Sequence, residues 1–175
     1  MKDQIFNLTG KKALITGGSR GLGQAISVGL AEAGAHVAIT SRSLSSLEET
    51  SQLITDSGGS FTAVELNVRD IAAVGTKIDK LAADLGGLDI LVNNAGYEEV
   101  KPSLEIEEEL WDKISDTNLK GAFFCSKHAA KSMMGRGGTI INVCSLTSYV
   151  GVPTAVPYSS SKSGLLGMTR ALSAE

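Results

Sequence analysis

Strand-like and helix-like segments alternate along all 175 residues, joined by short connections, and this alternation restricts the fold more than any other feature. Lys12 to Thr16 (KALIT) and His36 to Ser41 (HVAITS) are short apolar runs of the kind that form buried strands. Phe61 to Asn67, Leu88 to Val92 and Thr139 to Val143 add three more. Amphipathic stretches predict helices over about Leu22 to Ala33, Leu44 to Ser57, Ile71 to Leu85, Glu107 to Met134, and from Tyr158 to Glu175. Gly34, Gly58-Gly59, Gly86-Gly87 and the segment from Gly135 to Gly138 fall at helix ends, where glycine belongs. Ser103 is expected near the cap of the long fourth helix. Strand–helix order with short links predicts an α/β fold: a doubly wound parallel sheet between two helix layers. No repeat or linker divides the chain, so residues 1–175 read as a single domain.

Composition removes several classes. Sixteen basic and 19 acidic residues nearly cancel, which gives no electrostatic footprint for nucleic acid. No run of 18 apolar residues offers a membrane span, and Met1 to Gly10 mixes charged with apolar residues, unlike a signal peptide. Cys125 and Cys144 are too few for a disulfide framework and poorly spaced for a metal, so no metal is expected. Both read as small core residues in a reducing compartment, and a cytoplasmic location is the default.

Four constellations carry chemistry. Between the first strand and first helix lies Thr16-Gly17-Gly18-Ser19-Arg20-Gly21-Leu22-Gly23, with glycines spaced G-x-x-x-G-x-G. At that position glycines let the backbone approach a pyrophosphate at a helix N-terminus. The alternative is an ordinary tight turn. The second strand ends in Thr40-Ser41-Arg42, without the carboxylate that a free ribose 2′-hydroxyl calls for. Arg42 and Arg20 can instead hold a 2′-phosphate, which points to NADP rather than NAD, unless Arg42 is only a solvated surface arginine. Asn93-Asn94-Ala95-Gly96 follows the fourth strand, where doubly wound sheets bind ligands, although alone it reads as a turn.

Tyr158 and Lys162 stand four apart on one predicted helical face, and Ser145 precedes Tyr158 by 13 positions. A phenol with a pKa of about 10 is a poor acid–base at neutral pH, and a nearby ammonium lowers it. A shift of about 2 units requires about 2.7 kcal/mol of differential interaction. Ser145 can hold a substrate oxygen by a hydrogen bond.

Together these residues resemble the short-chain dehydrogenase/reductase family in its single-domain branch, from about Leu8 to Glu175. The resemblance implies a Rossmann-like fold and hydride transfer between a ketone or secondary alcohol and a nicotinamide cofactor. It implies cofactor contacts at Gly17, Ser19, Arg20, Gly21, Leu22, Gly23, Arg42, Asn94, Ala95, Gly96, Tyr158 and Lys162. Tyr158 then serves as general acid/base, Lys162 lowers its pKa and binds the nicotinamide ribose, and Ser145 orients the carbonyl. Asn118, in Asp116-Thr117-Asn118, takes the place of the family's active-site asparagine, which supports a proton relay. Asn67-Val68 stands where the family carries Asp-Val near the adenine, so an amide replaces a carboxylate there.

The family is longer, about 250 residues, and continues with two further strands and a substrate lid. The chain is therefore expected to be a C-terminally incomplete piece whose sheet lacks the last strands and exposes an edge. The resemblance also implies a homodimer or homotetramer built on the helices matching Glu107 to Met134 and Tyr158 to Glu175. Phe6 to Gly10 and Tyr158 to Arg170 are similar to gluconate 5-dehydrogenases and 2-deoxygluconate 3-dehydrogenases. The Asn-Asn-Ala-Gly segment fits 3-oxoacyl-carrier-protein reductases equally well. A small carbonyl or alcohol substrate is expected. The competing readings are a non-catalytic NADP-binding module or inactive fragment, and a purely structural dimerisation unit.

Overall fold

A computed structural model of the chain describes residues 6–175. Met1 to Ile5, part of the segment read above as no signal peptide, lie outside the described residues. Five parallel strands form one sheet in the order β3-β2-β1-β4-β5. They are β1 (Lys12–Ile15), β2 (His36–Ser41), β3 (Ser60–Glu65), β4 (Ile90–Asn93) and β5 (Thr139–Asn142). The helices are α1 (Gly21–Glu32), α2 (Glu48–Asp56), α3 (Ile71–Leu85), α4 (Glu108–Ser115), α5 (Gly121–Met133) and α6 (Val156–Leu172). The order reverses between β1 and β4, so the two halves of the sheet diverge where their C-terminal ends leave a crevice.

The strands bury both faces, which is why they are nearly continuous apolar runs. Leu14, Ala38 and Leu91 face one way and pack with Val74, Ile78 and Leu81 of α3 and Cys125 and Ala129 of α5. Ala13, Ile15, Val37, Ile39 and Val92 face the other way and pack with Ala31 of α1 and Ile54 of α2. A polar relay, buried at Asn93 and Ser126 and half-buried beyond them, crosses the second half of the sheet. The Asn93 amide donates to Ser126 Oγ and Asn142 Oδ1, both at 2.8 Å, and Asn142 Nδ2 donates to Thr169 Oγ1 at 2.9 Å. It ties β4, α5, β5 and α6 together. β5 is an edge strand, and Ile141 on it is 46% exposed.

Three sequence expectations are corrected. The single helix from Glu107 to Met134 is α4 and α5 joined by a π turn over Asp116–Lys120, which inserts extra backbone and turns Asn118 inward. Gly121 then lets the helix run against the Val68 carbonyl, which a Cβ there would approach to 2.8 Å. Ser103 does not cap α4. It opens a separate 3₁₀ turn (Ser103–Glu105), and α4 begins after Glu107 without a side-chain cap. Cys125 is core, but Cys144 is partly exposed in the loop after β5. Helix boundaries shift as well. A 3₁₀ turn (Ser45–Leu47) precedes α2, and α6 starts two residues before Tyr158 with Pro157 in its first turn.

His36 opens β2 with Nδ1 3.0 Å from Ser60 Oγ and Nε2 2.9 Å from Thr62 Oγ1. Burial, with a smaller push from Lys12, lowers its pKa below 6.5. The folded state therefore favours the neutral ring. This contribution to stability is complete above about 6.5 and is lost as pH falls from 6.5 through the lowered folded value. Thermal unfolding across pH 7.5 to 5 is expected to show this decline, and His36→Gln to flatten it.

Candidate active site

The C-terminal ends of β1, β2, β3 and β4 open into a cleft of about 900 Å³. Gly17, Ser19, Arg20, Arg42, Asn67, Val68, Asn94, Ala95 and Gly96 line it, bringing nine expected cofactor residues to one groove. Gly17 adopts φ +68°, and a Cβ on it would fall 2.9 Å from Ala95 Cα. Gly23 has less room still: a Cβ there would meet the Gly17 carbonyl oxygen at 2.1 Å and Asn94 Nδ2 at 2.5 Å. Only glycine allows α1 to begin this close under the β4 loop.

Asn94 fastens the two loops. Its Nδ2 donates to the Thr16 and Gly17 carbonyls at 3.0 and 2.9 Å. Buried Thr16 completes the joint, its Oγ1 accepting the backbone N–H groups of Asn94 and Ala95. The N-terminus of α1 has no side-chain cap and no acidic residue in its first turn. Its free N–H groups and dipole therefore suit a phosphate oxygen. Leu22 is 67% exposed, so only its backbone belongs to that terminus. Neither Arg20 nor Arg42 has an ion-pair partner among the described residues. A glycine cradle, an uncapped helix start and two unpaired guanidinium groups fit a phosphate-bearing dinucleotide.

Asn118, Ser145, Tyr158 and Lys162 lie beyond the lining of this cleft, on the π turn, the post-β5 loop and α6. Asn118 is buried and makes three bonds. Its Oδ1 accepts the Tyr97 N–H at 2.8 Å, and its Nδ2 donates to the Tyr97 carbonyl and to Ser161 Oγ, both at 3.0 Å. Lys162 is 4% exposed, and its Nζ donates to the Val143 carbonyl at 2.6 Å. That Nζ lies 5.8 Å from the centre of the Tyr158 ring. Burial pushes the Lys162 pKa down, and Cys144 nearby opposes the shift. A Cβ on Gly96 would come within 3.5 Å of Asn118 Oδ1 and 3.9 Å of Lys162 Nζ, so the β4 loop is where cleft and lysine meet.

Several lining residues escape sequence reasoning. Arg69 follows Asn67-Val68 directly and donates its backbone N–H to Asn67 Oδ1 at 3.1 Å; its position after β3 was the available signal. Tyr97 and Lys113 also line the cleft, with Lys113 Nζ 2.8 Å from the Tyr97 hydroxyl and 4.0 Å from its ring centre. Nothing in the sequence pairs residues sixteen apart across a loop and a helix. Among the described residues no cluster of metal-ligating side chains is present, and no helix is long and apolar enough to cross a membrane.

Comparison with known proteins gives a consistent result. The profile of the short chain dehydrogenase family matches residues 11–175. The chain is 40% identical over 172 residues to the 2-dehydro-3-deoxy-D-gluconate 5-dehydrogenase of Dickeya dadantii, covering 97% of this chain and 67% of that protein. Its structure superposes with a TM-score of 0.93 on a protein from Sinorhizobium meliloti described as a short-chain alcohol dehydrogenase, at 58% identity, covering 96% of this chain and 67% of the other. A metagenomic short-chain oxidoreductase solved in complex with NADP superposes at 0.91 with 31% identity, covering 94% and 76%. The chain thus spans about two thirds of the length of the first two.

Proposed function

The chain belongs to the short-chain dehydrogenase family, and from that premise we propose that it interconverts a ketone and a secondary alcohol, with NADP as its cofactor and Tyr158 as general acid/base. The observation that carries the proposal is the buried Lys162 ammonium beside the Tyr158 ring. Among the described residues this cation has no carboxylate partner, and burying an unpaired charge is costly, as is characteristic of groups at functional sites. Here it stabilises the negative charge that Tyr158 Oη takes on after giving its proton to the substrate oxygen. In the oxidative direction the same oxygen removes the alcohol proton.

Ser145 donates a hydrogen bond to the substrate oxygen, and Asn118 holds the polar end of a proton path to Lys162. The bound nicotinamide supplies the hydride chemistry. Residues of this chain that would hold the dinucleotide are Gly17, Ser19, Arg20 and the backbone of Gly21, Leu22 and Gly23 for the phosphates. Arg42 and Arg20 take the 2′-phosphate, Asn67 and Val68 the adenine edge, and Asn94, Ala95, Gly96, Tyr158 and Lys162 the nicotinamide ribose side. The proposed substrate is a small carbonyl or alcohol compound. The same reading includes self-association through the faces that carry the exposed Trp111, Phe123 and Val156, which sedimentation velocity tests.

Arg42→Ala tests the cofactor assignment. Loss of a charge-assisted bond to the 2′-phosphate is expected to weaken NADPH binding about 10- to 100-fold, with NADH binding unchanged. Equal weakening of both would place Arg42 outside that site.

A further inference from the structure

Ser145 is the N-cap of a short 3₁₀ turn, Leu146–Ser148, and the turn determines what its hydroxyl can do. Ser145 Oγ accepts the backbone N–H of Thr147 at 3.2 Å and the Thr147 side-chain hydroxyl at 3.0 Å. A serine hydroxyl has two acceptor lone pairs and one proton. Thr147 occupies both lone pairs and leaves the proton.

The turn itself is anchored to the lysine helix. Ser148 Oγ accepts the Ser145 N–H at 3.4 Å and donates to the Lys162 carbonyl at 2.9 Å. Lys162 Nζ in turn donates to the Val143 carbonyl, two residues before Ser145, at 2.6 Å. Loop and helix therefore hold one another, and Ser145 Oγ has a fixed place relative to Lys162.

We propose that Thr147 is a positioning residue that makes Ser145 a dedicated hydrogen-bond donor toward the substrate oxygen. The proposal rests on the reading that Ser145 meets that oxygen. A free serine rotor can accept as readily as it donates. An oxygen that gains negative charge during ketone reduction is helped only by a donor, and most by one already aimed. Thr147 does not itself touch the substrate; it acts through the polarity of its neighbour.

Neutron diffraction from deuterium-exchanged crystals of the full chain tests the polarity directly. The Thr147 deuteron is expected between the two side-chain oxygens and the Ser145 deuteron pointing away from Thr147. A Ser145 deuteron on Thr147 Oγ1 overturns the proposal. The consequence is tested by NADPH oxidation with 2,3-butanedione as the probe ketone. Thr147→Val keeps the side-chain shape and the backbone N–H bond but removes the hydroxyl. It is expected to lower kcat about tenfold, and Thr147→Ser to restore it. In a Ser145→Ala background Thr147→Val is expected to cost nothing more, whereas a purely structural role would cost the same in both backgrounds and overturn the proposal. Loss of turnover in Ser145→Ala beside an unaffected Thr147→Val removes the proposal alone. Unaffected turnover in Ser145→Ala removes the reading of the site and the proposal with it.

Discussion

Tyr158→Phe is expected to lower turnover by about 10²- to 10⁴-fold, the range for loss of a positioned general acid/base. The substitution removes one oxygen and keeps the ring. Its packing beside Lys162 and at the start of α6 should therefore survive, and with it the melting temperature, while affinity for the dinucleotide should fall far less than turnover because one ribose contact is lost and the rest of the cleft is untouched. That separation is what makes the variant informative. The cleft that would bind most of the dinucleotide is lined mainly by the loops after β1, β2, β3 and β4, with Lys113 and Thr117 beyond them, and Tyr158 is not among its walls. Titration of the variant with NADPH, beside steady-state turnover, checks both halves. Retained turnover would remove Tyr158 from the chemistry, whereas NADPH binding without turnover in the unsubstituted chain would return it to the reading of a nucleotide-binding module.

Gly23→Ala is expected to have the second large effect, on stability and binding together. The added methyl would sit 2.1 Å from the Gly17 carbonyl oxygen and 2.5 Å from Asn94 Nδ2. Both are fixed, Gly17 by a φ of +68° and Asn94 by two bonds to the β1 loop. The first turn of α1 must move away, at a cost of about 1–3 kcal/mol or more for overpacking. In a chain of this size that lowers the melting temperature by roughly 2–4 °C per kcal/mol. Moving α1 also withdraws its N–H groups from the cleft, so nucleotide binding should fall further than stability. Gly29→Ala is the control. It lies in the same helix with nothing within 4 Å of its added Cβ, and it should gain roughly 0.5–1 kcal/mol from helix propensity. Calorimetry on the pair separates a general intolerance of side chains in α1 from the specific contact at Gly23.

Much of this site is legible in the sequence because backbone requirements leave local marks. Gly17 and Gly23 must be glycine because a Cβ on either would clash with the neighbouring loop, and their place between a strand and a helix marks the tight turn that opens α1. Tyr158 and Lys162 share a helical face by spacing alone. Asn94 is legible as a residue beyond β4, although its role as the joint between two loops depends on a partner 78 positions away. What escapes is what depends on irregular backbone or on distant pairs. Amphipathic periodicity passes through Asp116–Lys120 without showing that the helix widens into a π turn there. Ser103 has the chemistry of a cap, but Pro102 and the extended Ile106 enclose it in a turn of its own. Cys144 has apolar neighbours in sequence, yet it follows the last residue of β5 by two positions and so belongs to the loop. Thr147 carries no sequence mark at all, because its importance lies in which of two hydroxyls holds the proton.

Under the proposed function, the cleft over β1–β4 takes a dinucleotide bearing a 2′-phosphate. Fluorescence titration of the 175-residue chain with NADPH and, in parallel, NADH tests it most directly. Saturable binding of NADPH, with NADH weaker by about 10-fold or more, is the predicted result, since NADH lacks the 2′-phosphate proposed to meet Arg42 and Arg20, which have no ion-pair partner among the described residues. Equal binding of the two, or tighter NADH, would contradict the roles given to Arg20 and Arg42, and binding of neither would contradict the cleft itself.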